Sequence, residues 1–414
     1  MELCKINRCT ACKACINVCP KDAISMVTSS TGFTHWKIDV NRCINCKLCQ
    51  SACPQITVPL KNAPQKCYVA WSTNKEDKMK SASGGVASAI YRYALNHSYI
   101  IVGAEMKSDF TVSLRLGTMP SDIEAFRNSK YTYSDPQYIY KEVGKLLQQG
   151  IAVIFIGLPC QVAAMQNYAY TKRINDKSLI LVDIICHGTA PTVYLQQHIR
   201  MIEKKSKKMA NSCYFRDSQF GTQNYVFSLR DGEGKLIYKK CVKRNDSYQE
   251  GYHKAMIYRE NCYNCTFACA ERCGDITIGD FSGLGRVADT DIKNVNVSCI
   301  LSNTEKGAAF LHEMNENKVL VMHERPLKEA LGYEKQLSHP SIPSSNRPFF
   351  LNLYEEKQDY NYAASRALQK TMMKNMLLYG SHIYDGIILI KKMVPPKLRK
   401  RIKTLLCEKD ITKR

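Results

Sequence analysis

Long apolar runs are missing from this 414-residue chain. The longest, Ile151–Leu158 and Leu179–Cys186, are strand-sized and fall well short of the roughly 18 residues a membrane span needs. The start, Met-Glu-Leu-Cys-Lys, lacks the basic-then-apolar order of a secretory signal, so a soluble, cytoplasmic protein is expected. Gly (21) and Pro (14) are sparse and 9% of residues are aromatic, which excludes a fibrous repeat or a disordered chain. No Walker-type phosphate loop and no His-Glu-x-x-His motif occurs. Acidic residues are also scarce: 37 Asp and Glu face 59 Lys and Arg, a formal charge of +22.

What the chain has in excess is cysteine, 20 residues. A reducing cytosol disfavours disulfides, and short spacings point to metal or redox chemistry. Cys9-x2-Cys12-x2-Cys15-x3-Cys19-Pro20 recurs as Cys43-x2-Cys46-x2-Cys49-x3-Cys53-Pro54. This is the bacterial two-cluster ferredoxin run, in which the fourth cysteine of each copy ligates the other cluster. One 4Fe–4S cluster is therefore assigned to Cys9, Cys12, Cys15 and Cys53, and the second to Cys43, Cys46, Cys49 and Cys19. A pair of zinc knuckles would not require the doubled spacing. Cys4 lies outside the repeat and is taken as a spectator.

Ligand thiolates correct the charge count, since each oxidised 4Fe–4S core with four thiolates contributes about −2. The remaining excess is spread along the chain and concentrates at 391–414, so nucleic-acid binding is set aside. An acidic protein partner, an anionic cofactor or an anionic membrane surface is preferred. The stretch Ile383–Leu406 is a candidate peripheral contact with the inner membrane face; the plainer reading is a helix docked on the core.

Residues 1–60 form the ferredoxin-like unit and 61–66 a linker. Beyond it, strands are expected at Cys67–Trp71, Tyr99–Ala104, Ile151–Ile156, Leu179–Ile185, Asp275–Phe281 and Val295–Asn303. Helices are expected over Val86–Leu95 and Lys141–Gln149 and from Gln161 and Pro191. Residues 213–245 read as antiparallel strands turning at Asp231-Gly232. The centre is therefore α/β or α+β with a mixed sheet, and the chain from about 350 is helical and basic.

Ser81-Ala-Ser83-Gly84-Gly85 opens a helix, where hydroxyls and bare backbone suit a phosphate or an N-cap. Gly157-Leu-Pro159-Cys160-Gln161 and Cys186-His187-Gly188 follow consecutive strands, at the ends where open α/β sheets place ligands. Cys262-x2-Cys265 is a metal-ligand pair that Cys269 and Cys273 could complete, with zinc as an alternative occupant. Gly283-Leu-Gly285-Arg-Val-Ala288 mimics a dinucleotide fingerprint, but no helix continues it, so it reads as a chance match.

These motifs, with Ser129-Lys130-Tyr131 and Asp275-Ile-Thr-Ile-Gly279-Asp280-Phe281, stand in an order that resembles the coenzyme F420 hydrogenase/dehydrogenase beta-subunit family. The likeness covers roughly residues 1–310 and is nearest to a bacterial branch found among polysaccharide-biosynthesis proteins. It implies an iron–sulfur flavoprotein oxidoreductase passing electrons from ferredoxin-type clusters through FAD to an organic substrate. The alternatives are a coenzyme F420-reducing beta subunit of a larger complex and a non-catalytic electron-transfer subunit. The implied fold class is α+β: the ferredoxin-like domain, a cofactor-binding region over 67–140, a mixed-sheet FAD and Fe–S region over 141–345, and a basic helical tail over 346–414. By the same resemblance, Cys160, Cys186, Cys262 and Cys265 would ligate a third 4Fe–4S cluster. Ser83, Gly84, Gly85, Lys130, Gly157, Pro159, Gln161 and Gly188 would contact cofactor. His187 and Lys130 are the catalytic candidates, and the partners are a ferredoxin or dehydrogenase subunit and a small-molecule substrate. Asp280-Phe-Ser-Gly departs from the branch's Asp-Phe-Trp-Gly, so an aromatic wall of the pocket is expected to be missing.

Overall fold

The computed structural model describes residues 3–293 and 296–377. In the N-terminal unit each cysteine run carries its third cysteine on a short helix, Ala14–Val18 and Leu48–Ser51. Equivalent non-glycine positions take left-handed backbone in both copies: Ala11 (φ 52°) with Asn45 (φ 55°), and Lys13 (φ 58°) with Lys47 (φ 63°). Such turns direct successive amides inward, a concavity suited to negative sulfur. Accordingly, the Ala11 amide donates to Cys9 Sγ at 3.4 Å. An antiparallel hairpin of β1 (Ile24–Thr28) and β2 (Thr34–Ile38) completes the unit.

The remaining strands in chain order are β3 (Lys66–Ser72), β4 (Ile100–Met106), β5 (Val112–Gly117), β6 (Ser134–Asp135), β7 (Val153–Gly157) and β8 (Leu179–Ile184). They continue with β9 (Ser212–Tyr214), β10 (Val226–Arg230), β11 (Leu236–Cys241), β12 (Ile276–Asp280), β13 (Ser298–Ser302) and β14 (Leu320–Arg325). Nine form one mixed sheet in the order β14-β3-β13-β12-β8-β7-β4-β5-β6, and β11-β10-β9 form a small antiparallel sheet. At the centre β12, β8, β7 and β4 run parallel. The fold class is thus α+β with a mixed central sheet, as the residue pattern led one to expect.

Strand β7 explains why the central strands read as unbroken apolar runs. Val153 and Phe155 pack with the helices Ile139–Gln148 and Pro159–Thr171. Ile154 and Ile156 pack on the other face with Val86–Asn96 and Glu305–Glu316. A strand covered on both faces has no polar alternate positions. Its onset lies two residues later than expected because the Ile151 amide closes the preceding helix, donating to the Leu146 carbonyl at 3.0 Å. The ferredoxin-like unit shares the first of these cores through Ala14, Val18, Ile24 and Ala52. Polar ties fix its orientation: Lys13 to Asp135 at 2.6 Å, Tyr133 Oη to the Ala11 carbonyl at 2.7 Å, and Arg259 to the Thr34 carbonyl at 2.7 Å.

The segment from Gly283 turns without opening a helix. It wraps a carboxylate of the chain itself, since the amides of Gly285, Val287 and Ala288 donate to Glu329 Oε1 at 3.1–3.3 Å. Helices Arg347–Lys357, Tyr360–Ala367 and Gln369–Asn375 follow at the C-terminal side. The basic run 391–414 and the stretch Ile383–Leu406 lie outside the described residues. Among the described residues no helix is long and apolar enough to cross a membrane.

Candidate functional site

Three small cavities gather the motif cysteines. Cys19, Cys43, Cys46 and Cys49 line one, with Cys46 exposed. Cys9, Cys12, Cys15 and Cys53 line a second, joined by Cys4. The third is lined by Cys160, Cys186, Cys262 and Cys265. The four residues of this last set come from three places: the helix start after β7, the loop after β8, and the turn Glu260–Asn264 with its following residue. Parallel β7 and β8 bring Cys160 and Cys186 side by side. The remaining pair is held by Arg272, wholly buried, which binds Asp183 of β8 at 2.7 Å and the Phe267 carbonyl at 3.0 Å.

The donor chemistry fits polynuclear iron–sulfur groups. Burial, reinforced by neighbouring thiols, pushes Cys12 up to about 12 and Cys265 up to about 11, and holds Cys15 and Cys160 well above the ordinary thiol range. Thiols set round a void are the donors that a cluster converts to thiolates. Among the described residues no three His, Cys, Asp or Glu side chains converge on a point as a single ion requires. Cys269 and Cys273 do not line the third cavity. Cys269 accepts from Lys61 Nζ at 3.3 Å, and Cys273 is buried in the core beside the helix Pro159–Thr171.

A larger cavity, about 370 Å³, opens beside the third one at the carboxyl ends of β7, β8 and β12. That volume is within the roughly 300–1,000 Å³ of small-molecule sites. Its floor is the N-terminus of the helix Val86–Asn96, with Ser81, Ser83 and Gly85 on the wall. Gly85 is held at φ +78°, where a Cβ would lie 2.8 Å from the Asp77 carbonyl oxygen. Gly84 departs from the expected phosphate contact. It faces the sheet, its amide donates to Ser298 Oγ at 3.0 Å, and a Cβ there would sit 2.5 Å from the Ala70 carbonyl oxygen.

Gly157, Gln161, His187, Gly188 and Lys130 line the large cavity, whereas Pro159 lines only the smaller one. Gln161 braces the turn, accepting from the Leu158 amide and donating to Ser134 at 3.0 Å. Gly188 has φ +145°, and a Cβ would lie 2.4 Å from the Tyr258 ring. Lys130 Nζ donates to the carbonyls of Phe126, Arg127 and Asn128 at 3.1, 2.7 and 3.3 Å, and burial pulls its pKa down to about 7. His187 is exposed at the boundary between the two cavities.

The wall is aromatic despite Ser282, which donates instead to Glu334 at 2.8 Å. Tyr131, Tyr225, Tyr252 and Tyr258 supply the rings, with Tyr131 stacked on Tyr252 at 4.5 Å. Arg216 lies over the Tyr225 ring and pairs with Asp280 at 2.6 Å. His253 stands beside Tyr131 and Tyr225. None of Arg216, Tyr225 and His253 belongs to a spaced motif, and only the fold brings them here.

A thiol-rich dicluster unit docked on a mixed sheet, beside a further cysteine-lined cavity, defines an iron–sulfur electron-transfer protein. Family descriptions match in chain order: a 4Fe-4S dicluster domain over 8–56, the N-terminal part of the coenzyme F420 hydrogenase/dehydrogenase beta subunit over 67–137, and its C-terminal part over 151–327. The chain belongs to the coenzyme F420 hydrogenase/dehydrogenase beta-subunit family. Its structure is similar to a chain of the F420-reducing [NiFe] hydrogenase complex from Methanosarcina barkeri. That chain is 18% identical, with a TM-score of 0.44 and coverage of 76% of this chain and 92% of that one. None of the curated proteins compared with the sequence matches it.

Proposed function

We propose that the chain is an oxidoreductase that takes in single electrons at its N-terminal thiol sites and delivers them in pairs to an organic acceptor at the large cavity. The observation that supports this reading is a series of shared walls. Thr10, Ala11 and Cys12 border both the inner ferredoxin-type cavity and the Cys160–Cys186–Cys262–Cys265 cavity. Leu158, Gln161, Cys186, His187, Gly188 and Thr189 border that cavity and the large one. The outer site is the one with an exposed ligand, Cys46, so it is the side facing a redox partner.

In this reading Cys9, Cys12, Cys15 and Cys53 hold the inner cluster, and Cys19, Cys43, Cys46 and Cys49 the outer one. Cys160, Cys186, Cys262 and Cys265 would hold a third, and the large cavity would hold FAD. Bound there, clusters conduct one electron at a time and a flavin supplies the change to two-electron chemistry. The chain's own residues do the rest. Ser83 and the helix end behind Gly85 receive phosphate oxygens, where the helix dipole and free amides favour an anion. Tyr131, Tyr252 and Tyr258 provide flat apolar walls and keep water out. His187, exposed at the junction, is placed to hand over a proton at its imidazole nitrogen. Lys130 keeps its head on three backbone carbonyls and positions the 126–130 loop on the cavity wall.

Anaerobically purified protein should contain about twelve iron atoms, as three four-iron cores require, together with flavin that reduced ferredoxin bleaches. Iron and labile sulfide near eight atoms with no flavin would make the chain a relay subunit. The family description favours a second reading, with coenzyme F420 as the acceptor. Reoxidation of the reduced protein by added F420 would establish it, and inertness toward F420 would leave another organic acceptor, including one from polysaccharide assembly.

A further inference from the structure

Four thiolates complete one 4Fe–4S core, yet five cysteines stand round the inner N-terminal cavity. The fifth, Cys4, is anchored where it stands. Its carbonyl accepts a hydrogen bond from Trp36 Nε1 at 2.9 Å, and the turn Ile6–Arg8 carries the chain from it to Cys9. The side chain is 8% exposed and packs with Cys9 and Cys53 in a cluster of its own. It packs against both of those residues, which come from opposite copies of the repeat, and lines the same cavity. The outer cavity has its four cysteines and no fifth.

We propose that the single Cys4 S–H donates a hydrogen bond to an adjacent ligand sulfur, Cys9 or Cys53, and raises the reduction potential of the inner cluster. The physical reason is charge. Reduction puts additional negative charge on the cluster and its thiolates, and a donor aimed at those sulfurs stabilises the reduced state more than the oxidised one. Cys4 thereby distinguishes two clusters whose ligand sequences are copies of one another. It acts through the ligands, as a positioning and tuning residue. The proposal rests on the N-terminal clusters of the function proposed above and is independent of what the large cavity binds.

The test uses the full chain purified without oxygen, as wild type, Cys4→Ala and Cys4→Ser, titrated potentiometrically with EPR detection and with iron counted in the same samples. Cys4→Ala should lower the midpoint of one N-terminal cluster and leave the other in place, at unchanged iron content. Cys4→Ser, whose hydroxyl still donates, should fall between that variant and wild type. Cys4→Val, near the size of the thiol side chain and without a donor, should repeat the alanine result if the smaller residue prevents folding. Identical midpoints across the series overturn the proposal. So does loss of about four iron atoms in Cys4→Ala, which would make Cys4 a ligand of a four-iron core. Wild-type protein without either N-terminal cluster signal would overturn the dicluster reading, and this inference with it.

Discussion

Replacing Arg272 by methionine removes the guanidinium that ties the cysteine-bearing segment 262–273 to β8. Arg272 is 2% exposed and its partner Asp183 not at all. The guanidinium donates to Asp183 Oδ1 through Nε and Nη2 at 3.1 and 2.7 Å, and to the Phe267 and Cys269 carbonyls at 3.0 and 3.3 Å. Removing one member of a buried pair costs about 3–5 kcal/mol, because the surviving charge has neither water nor a counter-charge. At roughly 2–4 °C per kcal/mol for a cooperative unit of this kind, the thermal midpoint should fall on the order of 10 °C. Asp183 keeps the Gly274 amide at 2.9 Å and the Thr277 hydroxyl at 2.8 Å, but these do not neutralise it. Asp183→Asn combined with Arg272→Met should therefore recover part of the loss, a coupling that a double-mutant cycle measures. Differential scanning calorimetry under nitrogen, with iron counted alongside, is the assay. Since Cys262 and Cys265 stand on the same segment, iron should fall by about four atoms, one core. A single variant with wild-type melting and full iron would refute the argument that this buried pair holds the third cysteine site together.

Three further outcomes follow from the same geometry. Cys160→Ser should remove about four iron atoms, one core, while the N-terminal EPR signals persist; Cys269→Ser, outside the cavity, should leave the iron count unchanged. Gly188→Ala forces a methyl into the Tyr258 ring from a φ of +145°. It should displace the Cys186–His187 turn and reduce bound flavin, read as the flavin-to-protein ratio after gel filtration, with an unchanged ratio counting against the assignment. Lys130 is held neutral more readily in the fold, at about 7, than in the unfolded chain. The unfolded state then binds the extra proton between about pH 7 and pH 10.4, so this residue's contribution makes stability rise with pH across that window. The stability difference between wild type and Lys130→Met should grow in the wild type's favour from neutral to alkaline pH in denaturant melts, and a flat difference would show that the three carbonyls, which favour the charged form, cancel the burial.

Much of the site was legible because its chemistry is local. Cys9, Cys12 and Cys15, and likewise Cys43, Cys46 and Cys49, lie on loops too short to place their thiols anywhere but round a common centre, and the doubled spacing is visible in one dimension. Gly157–Gln161 and Cys186–Gly188 were also readable, since each follows an apolar run whose strand character is plain. Gly84 was misleading because a glycine at a helix start serves close packing as readily as ligand contact. Only the neighbouring Ala70 carbonyl and Ser298 hydroxyl distinguish the two. Cys269 and Cys273 look like ligands in sequence, but the Arg272–Asp183 pair holds the segment so that they face Lys61 and the core.

By itself, then, the sequence determined that a 4Fe-4S dicluster unit stands at the N-terminus, and that a mixed sheet with cysteine-bearing strand ends follows. Both depend on contacts within a few residues of one another. The tertiary structure decided which distant groups share a wall: Cys12 with Cys160, Arg216 with Asp280, His253 with Tyr131, and Cys4 with Cys53. Those proximities come from parallel strand register, from burial on both sheet faces and from ion pairs spanning nearly a hundred residues. Such forces act between segments and leave no spacing in the chain.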